Sequence, residues 1–132
     1  MAYKVPAVKN SPSSTNSSWN WSWSRDGNAI INKLGWKGLG RACGAYVSGS
    51  ENKSDYHLPH HKLINGKLTV VWGGVRAAMQ RLKATNIPAT VKLKVYSHLS
   101  KHYKHFGKEP PKYQEIFTKE ELDTIIREVC NV

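Results

Sequence analysis

YHLPHHKLINGKLTVVWGGVRAAMQRL, residues 56–82, changes its hydrophobic period midway. Pro59 prevents a regular helix through the first histidines. Asn65-Gly66, flanked by Leu63, Ile64 and Leu68, favours a tight two-residue hairpin. Beyond it Val71, Val75, Ala78, Met79 and Leu82 follow the helical period, while Arg76, Gln80, Arg81 and Lys83 fall largely on the other side. Gly73 and Gly74 weaken the first turn of that helix. This places His57, His60 and His61 on loop or strand-edge backbone just before a helix.

Toward the C-terminus, Pro88 opens a second helix, where proline is tolerated. Val95, Leu99, Tyr103 and Phe106 share a sector of roughly 80° on it, and His98, His102 and His105 a sector of roughly 60° beside them. Lys94, Lys101 and Lys104 lie beyond, facing out. Gly107 supplies a left-handed cap, and Pro110-Pro111 stop any continuation. Thr118 and Glu121 have capping-box spacing ahead of a last helix with Leu122, Ile125, Ile126 and Val129 on one face.

Toward the N-terminus, Trp36–Val47 has apolar residues at helical steps, and Gly35 separates it from a shorter helix capped by Ser24 or Asp26. Residues 1–18 are rich in serine and proline and read as a flexible arm. Trp19, Trp21 and Trp23 follow at a spacing of two, which puts the indoles on one face of an extended chain. They form either a strip laid over the protein's own core or one that docks on a partner. The expected fold is mainly α (α+β): a compact bundle of four to five short helices with one small β-hairpin and an extended N-terminal arm. Residues 1–18 form the arm and 19–132 a single helical domain ending in an acidic helix over 118–130.

Composition narrows the function. The chain has 132 residues and a net charge of +11, which suits one domain and a polyanionic or acidic partner. Residues 51–112 are rich in Lys and Arg against Glu51, Asp55 and Glu109, whereas Glu115, Glu120, Glu121, Asp123 and Glu128 reverse the sign. Two cysteines outside any CxxC, Cys43 and Cys130, argue against a disulfide framework. The N-terminus lacks the layout of a secretory signal, and no apolar run of membrane-spanning length occurs, so no membrane partner is expected.

For chemistry, the two histidine groups could present several imidazoles to one ion, since zinc needs three or four donors. His57, His60, His61, His98 and His102 are the candidate ligands should a metal be present. No HExxH or paired cysteines accompany them, so His60, His61 and His102 are expected to be polar packing residues between the hairpin loop and the Val95–Phe106 helix. Carboxylates are scarce before residue 109, GxSxG is absent, and WGGVRAAM lacks a phosphate-loop ending. Neither an enzyme nor a cofactor is therefore expected, a metal-dependent hydrolase using the histidines being the enzymatic alternative. For nucleic acid, Arg76, Arg81, Lys94, Lys101 and Lys104 offer phosphate contacts without sequence choice.

The order DGNAII, GWKGLGRACGAYV, SDYHLPHHKLINGKLTVVWGGVRAAMQRL, HLSKHYKHF and GKEPPKY resembles a small module of tailed-bacteriophage head-gene clusters. That module is often joined to, or encoded beside, the prohead maturation protease of HK97-like phages. The resemblance spans roughly residues 19–113. It implies a non-enzymatic role in head assembly or as a minor virion component, in the host cytoplasm and then in the virion. The implied partners are capsid protein, the prohead protease or packaged DNA, with Trp19, Trp21 and Trp23 as a contact strip. The protease's own serine and histidine have no counterpart here, and the acidic C-terminal helix lies outside the resemblance.

Overall fold

A computed structural model describes residues 2–130, apart from the side chain of Cys130. Its strands are β1 (Tyr3–Lys4), β2 (Ser13–Ser14), β3 (Ala45–Val47), β4 (Tyr56–His57), β5 (His61–Ile64) and β6 (Lys67–Val71). Its α-helices are α1 (Asn28–Ala42), α2 (Trp72–Leu82), α3 (Ala89–His105), α4 (Tyr113–Ile116) and α5 (Lys119–Cys130). The architecture is α+β, with two small three-stranded sheets, β1-β3-β4 and β2-β6-β5, where one hairpin was expected.

The hairpin is β5–β6, with Ile64 opposite Lys67 and both turn residues at positive φ, Asn65 at 52° and Gly66 at 75°. β6 runs directly into α2. Its partner α3 buries Val95 and Leu99 completely, each worth roughly 2 kcal/mol on the scale of apolar burial. α3 ends as its sequence indicates. Gly107 at φ 70° lets the amide of Lys108 donate to Tyr103 (2.9 Å) and that of Gly107 to Lys104 (3.0 Å). Thr118 and Glu121 cap α5 reciprocally, each backbone amide donating to the other's side chain at 3.1 Å.

Three expectations need correction. The segment 2–18 is no free arm: β1 pairs antiparallel with β3, and β2 pairs parallel with β6. Its backbone amides and carbonyls satisfy edge strands that would otherwise stay unpaired, and composition does not record such long-range partners. Second, the helix expected to reach Val47 stops at Ala42. Cys43 is extended, and Gly44 lies so near Val95 and Leu58 that a Cβ there would sit 3.0 and 3.3 Å from them. Ala45–Val47 pairs on both edges instead. Third, the N-terminal cap is neither Ser24 nor Asp26. Ser22 caps a π-helical turn, Trp23–Gly27, by accepting from the amide of Arg25, and Asp26 accepts back from the amide of Ser22. The expected break at Gly35 is present, as a kink with φ 75° within α1.

Candidate functional site

Four of the six histidines meet where the loop before β5 faces α3. His60, the last residue of that loop, is fixed by its backbone: its amide donates to Ala42 (2.9 Å), and its carbonyl accepts from Val71 (3.1 Å). His61 opens β5, while His98 and His102 lie one turn apart on α3. Their exposures are 0% for His60, 3% for His61, 3% for His98 and 0% for His102, so the cluster is enclosed.

His98 stands at the centre. Its Nε2 lies 3.1 Å from Nε2 of His60 and 3.2 Å from Nε2 of His102. The far nitrogen of each ring meets an oxygen. Nδ1 of His60 donates to the Leu58 carbonyl (3.0 Å), Nδ1 of His98 to the Pro6 carbonyl (2.9 Å) and Nδ1 of His102 to Oδ1 of Asn10 (2.7 Å). His61 packs against the group at ring-centroid distances of 4.6 Å from His60 and 5.5 Å from His102, and its buried Nδ1 has no hydrogen-bond partner. Burial pushes the imidazoles toward the neutral form. His60 falls well below its ordinary value, His61 and His98 to about 4, and His102 to about 3, where neighbouring imidazoles add to the burial. Among the described residues, His60, His98 and His102 are the set whose nitrogens lie close enough together, within 4.8 Å, to share one ion.

The other two histidines do not join. His57 sits in β4, tilted against Tyr3 at 5.7 Å, and His105 is exposed, with Nε2 3.3 Å from Oγ of Ser13. The periodicity of α3 put His98, His102 and His105 in one sector. The segment 6–13, with its oxygen acceptors, gave no sequence signal as part of the site.

Trp19, Trp21 and Trp23 lie half-buried on the protein's own surface. Trp19 and Trp21 stack at 5.6 Å, and Trp23 meets Trp21 edge-on at 5.2 Å. Trp21 and Trp23 pack on the core formed by Ile30, Leu39, Ala42, Cys43 and Tyr56, while the Lys62 ammonium sits over the Trp19 ring.

Cations divide between two faces. Arg76 and Arg81 on α2, and Lys94, Lys101 and Lys104 on α3, are exposed, as their helical positions indicate. Lys92 is not available to a partner: it is buried, donates to the Lys83 carbonyl at 3.0 Å and pairs with Glu121 at 2.8 Å. A second face gathers Lys4, Lys9, Lys33, Lys37, Arg41 and Lys67 from β1, the arm, α1 and the hairpin, all exposed. Arg41 joins two adjoining cavities of about 370 and 610 Å³. The first reaches Lys9, Lys67 and His61, and the second Lys4, Lys37, Trp36, Tyr46 and Tyr56. Among the described residues, Glu51 is the one carboxylate lining either cavity, and none of the six cations is ion-paired.

No described helix is long and apolar enough to cross a membrane. Compared with protein-family models, with curated proteins and with solved structures, the chain matches none.

Proposed function

We propose that the protein is a non-enzymatic component of tailed-phage head assembly that works by contact, presenting the Lys4–Lys9–Lys33–Lys37–Arg41–Lys67 face to nucleic acid. The observation that carries this reading is five exposed cations lining two cavities, Lys4, Lys9, Lys37, Arg41 and Lys67, with the Lys33 ammonium near Gly66 of the first, and Glu51 as the single carboxylate among the described residues of their linings. Uncompensated cations attract phosphate by Coulomb attraction and counterion release, without choosing a base sequence. The half-buried Trp36 and Tyr46 rings, both packed on the buried Tyr56 ring at 5.5 and 5.8 Å, line the larger cavity and offer apolar surface to an unpaired base. The head-assembly context rests on the resemblance carried by YHLPHH, WGGVRAAM, HLSKHY and KEPP.

The test has two arms. Binding to unrelated duplex DNA is expected to fall by orders of magnitude between roughly 50 and 200 mM salt. Lys37→Glu/Arg41→Glu should weaken it at least about tenfold and flatten the salt slope, and Lys94→Glu/Lys101→Glu, on the other face, should change it far less. Binding indifferent to the first pair of substitutions would remove this face as the contact surface. In infected cells the protein should accompany proheads or virions in fixed ratio to capsid subunits. Absence from both sinks the head-assembly reading, and presence without any DNA binding at low salt transfers the contact to a capsid or protease surface.

A further inference from the structure

Three imidazoles with three protons leave the His60–His98–His102 contacts without a hydrogen bond. Each neutral ring carries one N–H. The partners of the three Nδ1 atoms are the carbonyl oxygens of Leu58 and Pro6 and the amide oxygen of Asn10, which only accept. The three protons therefore sit on Nδ1, and all three Nε2 atoms present lone pairs. Those lone pairs meet at 3.1 and 3.2 Å, inside an enclosed site. Moving a proton to any Nε2 leaves a bare Nδ1 facing an oxygen, which transfers the repulsion without relieving it. The geometry is completed by a cation among the nitrogens.

We propose that His60, His98 and His102 bind one divalent transition-metal ion of the zinc class through their Nε2 atoms. A zinc–nitrogen bond of ~2.0–2.1 Å implies nitrogens ~3.3–3.4 Å apart in a tetrahedral shell, close to the two observed separations. The third separation lies within 4.8 Å, and a small movement of His60 or His102 closes it. Three neutral imidazoles, with no thiolate or carboxylate among the proposed ligands, suit zinc, cobalt, nickel or copper rather than magnesium or calcium. Every proposed ligand also has its other ring nitrogen bonded to an oxygen, the arrangement that orients a metal-bound histidine and raises its basicity. The fourth position falls to water, since His61 lies outside the set whose nitrogens come within 4.8 Å of one another.

The ion would tie together pieces far apart in the chain. His60 precedes the hairpin, His98 and His102 belong to α3, and the oxygens of Pro6 and Asn10 lie 92 residues before their histidines. Metal binding and docking of the N-terminal segment are thereby linked.

The test uses the full chain, produced without a histidine tag, stripped with a chelator at neutral pH and titrated with Zn²⁺ and, separately, Co²⁺. Native mass spectrometry should count one ion per chain, and Co²⁺ should give the intense visible absorption of a four-coordinate site. His98→Ala and His102→Ala should lose the ion. Asn10→Ala, which keeps every ligand, should weaken affinity ~10–100-fold. His57→Ala and His105→Ala should bind as the parent does. No stoichiometric uptake by the parent overturns the proposal, as does uptake undiminished in His98→Ala. If that variant fails to fold, the parent's stoichiometry and Co²⁺ spectrum decide alone. A histidinium at His98 in nitrogen NMR at neutral pH, with no metal taken up, also overturns it, because a shared proton would then fill the place given to the ion.

Discussion

Gly73 and Gly74 look like defects in an amphipathic helix, and their contacts explain them. A Cβ on Gly73 would stand 2.5 Å from the Ser18 carbonyl oxygen, and one on Gly74 2.8 Å from the Trp19 ring and 3.0 Å from Cα of His60. The backbone of residues 16–18 runs against this turn, where the amide of Gly73 donates to the Asn16 carbonyl at 2.8 Å. Gly73→Ala would gain roughly 1 kcal/mol of helix propensity. It would lose more, because a backbone carbonyl cannot step aside as a side-chain tip can, and overpacking of this kind costs ~1–3 kcal/mol. The expected outcome is a net loss of stability, read as a lower thermal midpoint, with faster amide exchange across residues 12–18. A variant as stable as the parent would mean that the segment does not dock on this turn.

At the scale of elements, α5 shows how a helix with clear local signals is tied to the body. Its capping box was legible from Thr118 and Glu121, and its buried Ile125 follows the expected apolar face. The same face leaves Ile126 and Val129 exposed, at 59% and 54%, so periodicity marked a stripe without saying how much of it the body covers. Glu121 also reaches Lys92 on α3, and that ammonium bonds in turn to the Lys83 carbonyl just past α2. Three helices thus meet at one partly dehydrated ion pair. Glu121→Ala removes both a cap and the partner of a buried cation. It should cost about 2 kcal/mol, less than a fully enclosed pair because Glu121 retains 21% exposure. Glu120→Ala, exposed in the same turn, should stay within roughly 0.5 kcal/mol. Denaturant unfolding of the two variants side by side checks the contrast, and equal losses would remove the special role of the pair.

For the whole molecule, the enclosed histidines set a pH dependence of the metal-free form. Burial lowers the imidazoles of His61 and His98 to about 4 and that of His102 to about 3, and His60 falls in the same direction. Above pH 6.5 neither folded nor unfolded chain protonates them, so their contribution is fully present. Below it the unfolded chain takes up protons that the folded chain refuses, and stability falls with pH, by up to ~1.4 kcal/mol per pH unit for each such imidazole. The thermal midpoint of chelator-treated protein should drop steeply between pH 6.5 and 4. A flat profile across that window would show that the imidazoles titrate alike in both states.

Local chemistry made several elements readable from the sequence alone. Pro59 excluded a helix, Asn65-Gly66 set the β5–β6 turn, Gly107 closed α3, and Thr118 with Glu121 opened α5. Each of these signals acts within a few residues, where steric limits and hydrogen-bond reach leave one conformation favoured. The period of α3 even set His98 and His102 beside the apolar stripe. What tertiary structure alone decided is which groups meet across long stretches of chain. β1 and β2 found their partner strands, His60 met His98 across 38 residues, and Pro6 and Asn10 met α3 across 92. A backbone carbonyl or an edge-strand amide looks the same in every sequence, so nothing in residues 1–18 announced that their oxygens would orient a histidine cluster. Only packing of the loop before β5 against α3 created the enclosed space that those oxygens complete.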